Sequence, residues 1–170
     1  MLNLSHIQDI LIQDKQNEYT LKEGNEMVSA NNKLKAVTVM LRASQAIQEV
    51  LKKNAASHGL NLTEFAVLEL LYHKGDQPIQ IIGKKILISS GSITYVIDKL
   101  EQKDFAVRKA CPTDRRVTFA TITSSGKAFM DEYFPKHEAK IEEIFEQLSE
   151  EEINNTIELL KRIGHHAAKV

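Results

Sequence analysis

The sequence predicts a mainly α chain with one small β-hairpin, an α+β arrangement in the order α–α–α–α–β–β–α–α. Three observations point to it. Apolar residues recur at helical spacing in six separate stretches. Two short alternating stretches flank a polar turn that contains a proline. The first and last helical stretches carry more apolar surface than one small domain can cover, so they are expected to pair with a second copy.

Residues 1–32 are polar and weakly patterned, and read as an extension that is partly helical or a tail. Lys22-Glu23-Gly24 can be encoded by a purine-rich stretch resembling a bacterial ribosome-binding sequence, which makes Met27 a candidate native start. From Lys33 to His58, one stripe runs through Leu34, Val37, Leu41, Leu51 and Ala55, and another through Met40, Ala43, Ile47 and Val50. A helix apolar on two sides is buried on two sides. Gly59 stops it. Thr63 reads as the N-cap of the next helix, which carries Phe65, Leu68, Leu71 and Tyr72 and ends at Gly75. Asp76-Gln77-Pro78 restarts the chain as a short helix from Ile79 to about Ile86, because proline is tolerated in a first helical turn.

Ser89 is the N-cap candidate of a fourth helix, Ser90 to Lys103. Ile93, Val96, Ile97 and Leu100 form its single inward stripe; Ser90, Ser92, Thr94, Tyr95, Asp98 and Lys99 lie on the other face. Phe105 to Lys109 and Val117 to Ile122 alternate as strands around Ala110-Cys111-Pro112-Thr113-Asp114-Arg115-Arg116, a hairpin with a basic tip. Thr123 caps a long helix reaching Leu148, with Pro135 as a candidate bend. Ser149 to Glu152 is a capping box for a last helix carrying Ile153, Ile157, Leu160 and Ile163.

A chain of 170 residues suits one domain with helical extensions, and 42% hydrophobic against 26% charged residues favours a packed core over disorder. No apolar run is long enough to span a bilayer, and the N-terminus lacks the pattern of a signal peptide. One cysteine, Cys111, excludes an internal disulfide framework and fits a reducing cytoplasm. Net charge is −1, which alone argues against a nucleic-acid partner, but the charge is unevenly placed. Lys84 to Lys127 holds nine Lys or Arg against four acids, whereas Asp131 to Lys161 holds ten acids against three bases. One surface is thus suited to phosphate while the other stays away from it.

The three middle helices and the hairpin read as a winged helix-turn-helix. A recognition helix needs an apolar stripe to hold it and a polar face to read base edges in the major groove. Ser90 to Lys103 has both. Its small first turn, Ser89-Ser90-Gly91-Ser92, lets backbone N–H groups approach phosphate, and Thr94, Tyr95 and Lys99 reach further. The alternative for the helix alone is an ordinary solvated face. Two arginines at the hairpin tip, Arg115 and Arg116, fit a narrow minor groove, with Asp114 able to hold one in position; the alternative there is a solvated turn.

Together these features resemble the MarR family of bacterial regulators. The residues that carry the resemblance are Ser92-Ile93-Thr94, Asp98-Lys99-Leu100-Glu101, Arg108, Asp114-Arg115-Arg116 and Ile122-Thr123-Ser124-Ser125-Gly126, and it extends from about Lys33 to the C-terminus. Asp104 stands where that family usually has glycine; aspartate can enter the left-handed region, so the turn is expected to survive. Leu62 to Gly75 and Cys111 to Val117 are similar to the MhqR branch, whose repressors control genes that detoxify quinones and hydroquinones.

The resemblance implies a cytoplasmic homodimer that represses transcription at a pseudo-palindromic double-stranded operator and is released by a small aromatic or quinone-like ligand. It implies a unit over 33–170, with 33–60 and 123–170 for dimerisation and 61–122 as the DNA-binding lobe. Ser89, Ser90, Gly91, Ser92, Thr94, Tyr95, Lys99, Arg108, Asp114, Arg115 and Arg116 are then the DNA-binding candidates. Phe65, Tyr72, Phe129, Tyr133 and His137 could line an aromatic pocket or simply be core.

Cys111 is a redox-sensor candidate, since Lys109, Arg115 and Arg116 are near it in sequence. Family members that sense oxidants through cysteine typically carry it in the first long helix, where this chain has none. Six histidines show no metal-ligand spacing, so no metal and no cofactor are expected. No nucleophile elbow, dinucleotide fingerprint or P-loop occurs, which argues against an enzyme. A helical protein-interaction module without DNA binding is the remaining alternative.

Overall fold

The computed structural model describes residues 25–86 and 90–170, with side chains over 32–86 and 93–170. The elements are α1 (Asn25–Ser57), α2 (Leu62–Lys74), β1 (Gln77–Pro78), α3 (Ile79–Lys85), α4 (Ser90–Gln102), β2 (Ala106–Ala110), β3 (Thr118–Ile122), α5 (Ser124–Phe145) and α6 (Glu150–Ala167). This is a mainly α winged helix-turn-helix: α3 and α4 are its helix pair and β2–β3 its wing. Most of the expected extension, residues 1–24, lies outside the described residues, as does the proposed N-cap Ser89.

The chain divides into two compact units, Met1–Ser44 and Gln45–Val170, and α1 runs through the boundary. In the first unit α1 begins at Asn25, earlier than its apolar stripes indicated. Leu34, Val37, Val39 and Leu41 are all exposed there, Leu34 by 70%.

In the second unit, the core is built from α2 (Phe65, Val67, Leu68, Leu71), α3 (Ile79, Ile82), α4, the sheet (Ala106, Ala120) and α5 (Met130, Tyr133). All four stripe residues of α4, Ile93, Val96, Ile97 and Leu100, are buried. Burial of such side chains contributes about 1.5–3 kcal/mol each, which anchors the helix by one face only. By contrast α6 buries no residue, and Ile157, Leu159, Leu160 and Ile163 are exposed along it.

Two local expectations are corrected. The N-cap of α2 is Asn61, not Thr63: Asn61 Oδ1 accepts from Glu64 N–H at 2.8 Å, and Glu64 Oε2 accepts from Asn61 N–H at 3.0 Å. Asparagine three residues before glutamate closes this reciprocal pair, which Thr63, already inside the helix, does not. Glu64 is also ion-paired to Lys103 Nζ at 2.7 Å, and the same ammonium donates to the Gly59 carbonyl, so the end of α4 is tied to the turn after α1. That turn is made by Gly59 in the left-handed region, φ 77°, as the stop signal anticipated.

The second correction is β1. Gln77 and Pro78 are not only a helix restart but a short edge strand, so the sheet has three antiparallel strands in the order β1-β3-β2. Pro78 lies opposite Phe119 and Gln77 opposite Ala120; an edge tolerates a residue without an N–H donor. In the wing, Ala106 faces Ile122, Arg108 faces Ala120 and Ala110 faces Thr118.

Asp104 takes φ 57°, the left-handed conformation expected of it. Two bonds hold it there. Its carboxylate accepts from Ser125 Oγ at 2.8 Å, and its carbonyl accepts from Thr123 Oγ1 at 2.5 Å. A negative charge beside the first turn of α5 is also favoured by the helix dipole. Asp104→Gly relieves backbone strain but loses the carboxylate, whereas Asp104→Ala keeps the strain and loses the carboxylate. Urea unfolding is expected to leave Asp104→Gly within about 1 kcal/mol of wild type and Asp104→Ala about 1 kcal/mol below the glycine variant.

Candidate nucleic-acid interface

The outer face of α4 is open to solvent where the inner face is packed. Thr94 is exposed and Tyr95 is 59% exposed. Lys99 Nζ stands 5.5 Å from the centre of the Tyr95 ring and donates to Gln102 Oε1 at 3.1 Å. Ser90 and Gly91 occupy the start of α4 with Ser92, but their side chains lie outside the described residues.

The wing tip is closed by Val117 N–H to the Asp114 carbonyl and Cys111 N–H to the Val117 carbonyl, both 3.0 Å. Asp114 Oδ1 accepts from the backbone N–H of Arg116 at 3.0 Å and from its Nε at 3.3 Å. Asp114 thus orients one of the two arginines, Arg116, whose side chain is nevertheless 91% exposed. Arg115 is exposed and makes no hydrogen bond or ion pair among the described residues. The tip therefore offers two exposed guanidinium groups, of which only that of Arg116 is engaged, by Asp114.

Arg108 is placed differently from the other candidates. Its Nη2 pairs with Asp98 Oδ1 at 2.7 Å and donates to the Thr94 carbonyl at 3.2 Å; its Nη1 pairs with Glu101 Oε2. Its backbone N–H donates to Glu101 Oε1 at 2.8 Å. The guanidinium is engaged within the protein by the helix beside it.

The aromatic candidates pack against one another. Phe65 meets Tyr133 edge-on at 5.2 Å and His137 at 4.4 Å, and Phe129 lies 5.6 Å from Tyr133. Tyr72 sits further out, 6.2 Å from Phe134, with its hydroxyl donating to Asp131 at 2.6 Å, which raises its pKa. Two further polar side chains join them. Asn54 Oδ1 accepts from Tyr133 OH at 2.7 Å and stands 3.3 Å from His137 Nδ1. His58 lies against the Tyr133 ring at 4.3 Å, and its Nδ1 is 3.0 Å from the Asn54 carbonyl. Asn54, in the last turn of α1, and His58, just beyond its end, stand four residues apart, which was the available signal.

Burial pushes the Tyr133 hydroxyl up to about 12, with the Glu69 charge as a lesser cause. Burial also raises Glu69 and lowers His137, the nearby Glu138 opposing it in the latter. A histidine whose folded pKa is depressed binds fewer protons folded than unfolded, so stability falls as pH drops below the unfolded value of about 6.5. Urea unfolding is therefore expected to show stability declining from pH 7 to pH 5, and His137→Phe is expected to flatten that decline.

Cys111 is partly exposed. Its pKa is lowered, but by a hydrogen bond with the Thr113 hydroxyl at 3.3 Å and by backbone groups of Thr113 and Asp114, not by the basic neighbours the sequence suggested. Among the described residues, no group of three or more His, Cys, Asp or Glu is arranged to hold a metal, and no helix is long and apolar enough to cross a membrane.

Residues 60–118, the span from the end of the α1–α2 turn to the first residue of β3, match the model of the MarR family. The chain is 58% identical over 134 residues to the HTH-type transcriptional regulator MhqR of Bacillus subtilis, covering 79% of this chain and 92% of that protein. The fold is similar to that of AbsC, a MarR family transcriptional regulator from Streptomyces coelicolor, with a TM-score of 0.75 at 21% identity over 89% of this chain and all of that one. It is also similar to a mutant MarR from E. coli solved in complex with operator DNA, with a TM-score of 0.71 at 19% identity over 78% of this chain and 96% of that one.

Proposed function

Because this chain belongs to the MarR family of transcription regulators, we propose that it is a homodimeric repressor that binds a pseudo-palindromic duplex and is released by a small aromatic or quinone-like ligand. The observation that carries this reading is the pairing of the outer face of α4, where Thr94 and Tyr95 are exposed and Lys99 half-buried, with the exposed arginines of the wing. A helix anchored by one face can enter a major groove, and exposed arginines on a hairpin can reach the adjoining minor groove. Ser89, Ser90, Gly91 and Ser92 belong to the same proposed contact, at the helix end that favours phosphate.

A second copy is supported by the apolar residues left exposed on α1 and, separately, on α6. Residues 33–60 and 123–170 are the proposed dimerisation segments, and 61–122 the DNA-binding lobe. The similarity to MhqR supports a quinone-class ligand, and the ring cluster of Phe65, Phe129, Tyr133 and His137, with Tyr72 at its margin, is the proposed place for it. Such a ligand acts only by binding one of two states better than the other.

The test is duplex binding by fluorescence anisotropy across a salt series, followed by addition of benzoquinone or its hydroquinone. Affinity is expected to fall steeply with salt and to fall further with ligand. Absence of binding at low salt would instead support a protein-interaction module. The lowered Cys111 pKa supports a second reading, a thiol switch. Cys111→Ser is expected to keep its response to benzoquinone; loss of that response would favour the switch.

A further inference from the structure

Arg108 differs from the wing arginines in that its charge is spent inside the protein. Asp98 and Glu101 lie three residues apart on one face of α4, and the Thr94 carbonyl lies one turn earlier, so the guanidinium spans the middle and end of that helix. The backbone N–H of the same residue adds a fourth bond, to Glu101, at 2.8 Å. A planar fork with fixed donor directions sets an angle as well as a distance. Arg108 stands in the middle of β2, whose far end leads to the Asp114–Arg116 tip.

We infer that Arg108 is a positioning residue, a clamp that fixes the angle between the recognition helix and the wing, and not itself a contact to DNA. This rests on the DNA-binding reading above and assigns one of its candidate residues a different task. Helix and wing address different grooves of one duplex, so each reads its own groove only if their mutual angle is held. The clamp also occupies two carboxylates on α4 that would otherwise face phosphate.

The two roles make opposite predictions for Asp98→Ala/Glu101→Ala. Alanine favours helix, so α4 is retained. If Arg108 touches phosphate, freeing it and deleting two negative charges tightens binding to every duplex alike. If it is a clamp, binding to mixed-sequence DNA holds or tightens while binding to the preferred duplex weakens. The full chain would be used to select a preferred duplex from a randomised pool, and affinities measured for that duplex and for a mixed-sequence control.

The expected result is a fall of about tenfold in the ratio of the two affinities for the double variant, with thermal unfolding confirming the fold. Arg108→Lys, which keeps the charge and loses the fork, is expected to lower the ratio in the same direction. A wild-type ratio in either variant overturns the clamp while leaving the DNA-binding reading intact. A wild-type protein that selects no duplex overturns both.

Discussion

Replacing Arg115 and Arg116 together by alanine is expected to weaken duplex binding on the order of a thousandfold, the four wing arginines of a dimer being worth about 1 kcal/mol each. The loss is expected on every sequence to a similar degree, because guanidinium groups in a minor groove or on phosphate carry little base information. It should also flatten the salt dependence: each lost phosphate contact lowers the slope of log affinity against log salt by about 0.9. Asp114→Ala is expected to do much less, since it releases only the orientation of Arg116. Anisotropy titrations at three salt concentrations would measure all of this. The stability of the double variant should be unchanged, because both arginines are exposed and the one ion pair they make, Arg116–Asp114, lies at the surface.

Gly126→Ala is expected to be the most destabilising small substitution in the second unit. A Cβ at this position would lie 2.2 Å from the carbonyl oxygen of Phe105 and 2.9 Å from its carbon. Both are backbone atoms and cannot swing aside. The same carbonyl accepts from the Thr123 N–H at 3.1 Å, and Thr123 Oγ1 caps α5 by accepting from the Gly126 N–H at 2.9 Å. Accommodating a methyl group therefore means displacing either the turn at Asp104–Phe105 or the first turn of α5. Overpacking of this kind costs about 3 kcal/mol, which for a chain of this length lowers the Tm by roughly 10 °C. Thermal unfolding followed by circular dichroism would read it. A variant melting within a degree or two of wild type would mean that the turn yields more readily than its bonds imply.

That second case explains why part of the fold was legible from residues alone. Ile122-Thr123-Ser124-Ser125-Gly126 reads as a helix start because threonine supplies the cap, whereas the close approach of the Phe105 carbonyl to Gly126 appears only in the fold. The stripe of α4 was equally legible, since one-sided burial writes a one-sided pattern, and all four of its apolar residues are buried. The wing was legible within a residue or so, because its strands alternate and its tip holds proline and three charges.

Other features depend on partners distant in sequence, and local pattern does not contain them. β1 exists only because Gln77 and Pro78 meet Ala120 and Phe119, more than forty residues on. The bond from Tyr133 to Asn54 joins α5 to α1, and nothing in either helix marks the other. Arg108 became a DNA-binding candidate through the family resemblance alone, and nothing local to its strand marks the carboxylates of α4 that hold it. The cap of α2 was misplaced for a local reason: Asn61 and Thr63 are both good caps, and only the reciprocal bond with Glu64 separates them.

The account stands or falls on two copies of α4 being offered to one duplex about one helical turn apart. Hydroxyl-radical footprinting of the wild-type complex on its selected duplex measures this directly. Two protected major-groove segments on the same side of the helix, centred roughly 10 base pairs apart and flanked by minor-groove protection from the wings, are the predicted result. A single protected segment, or two on opposite sides of the duplex, would contradict it.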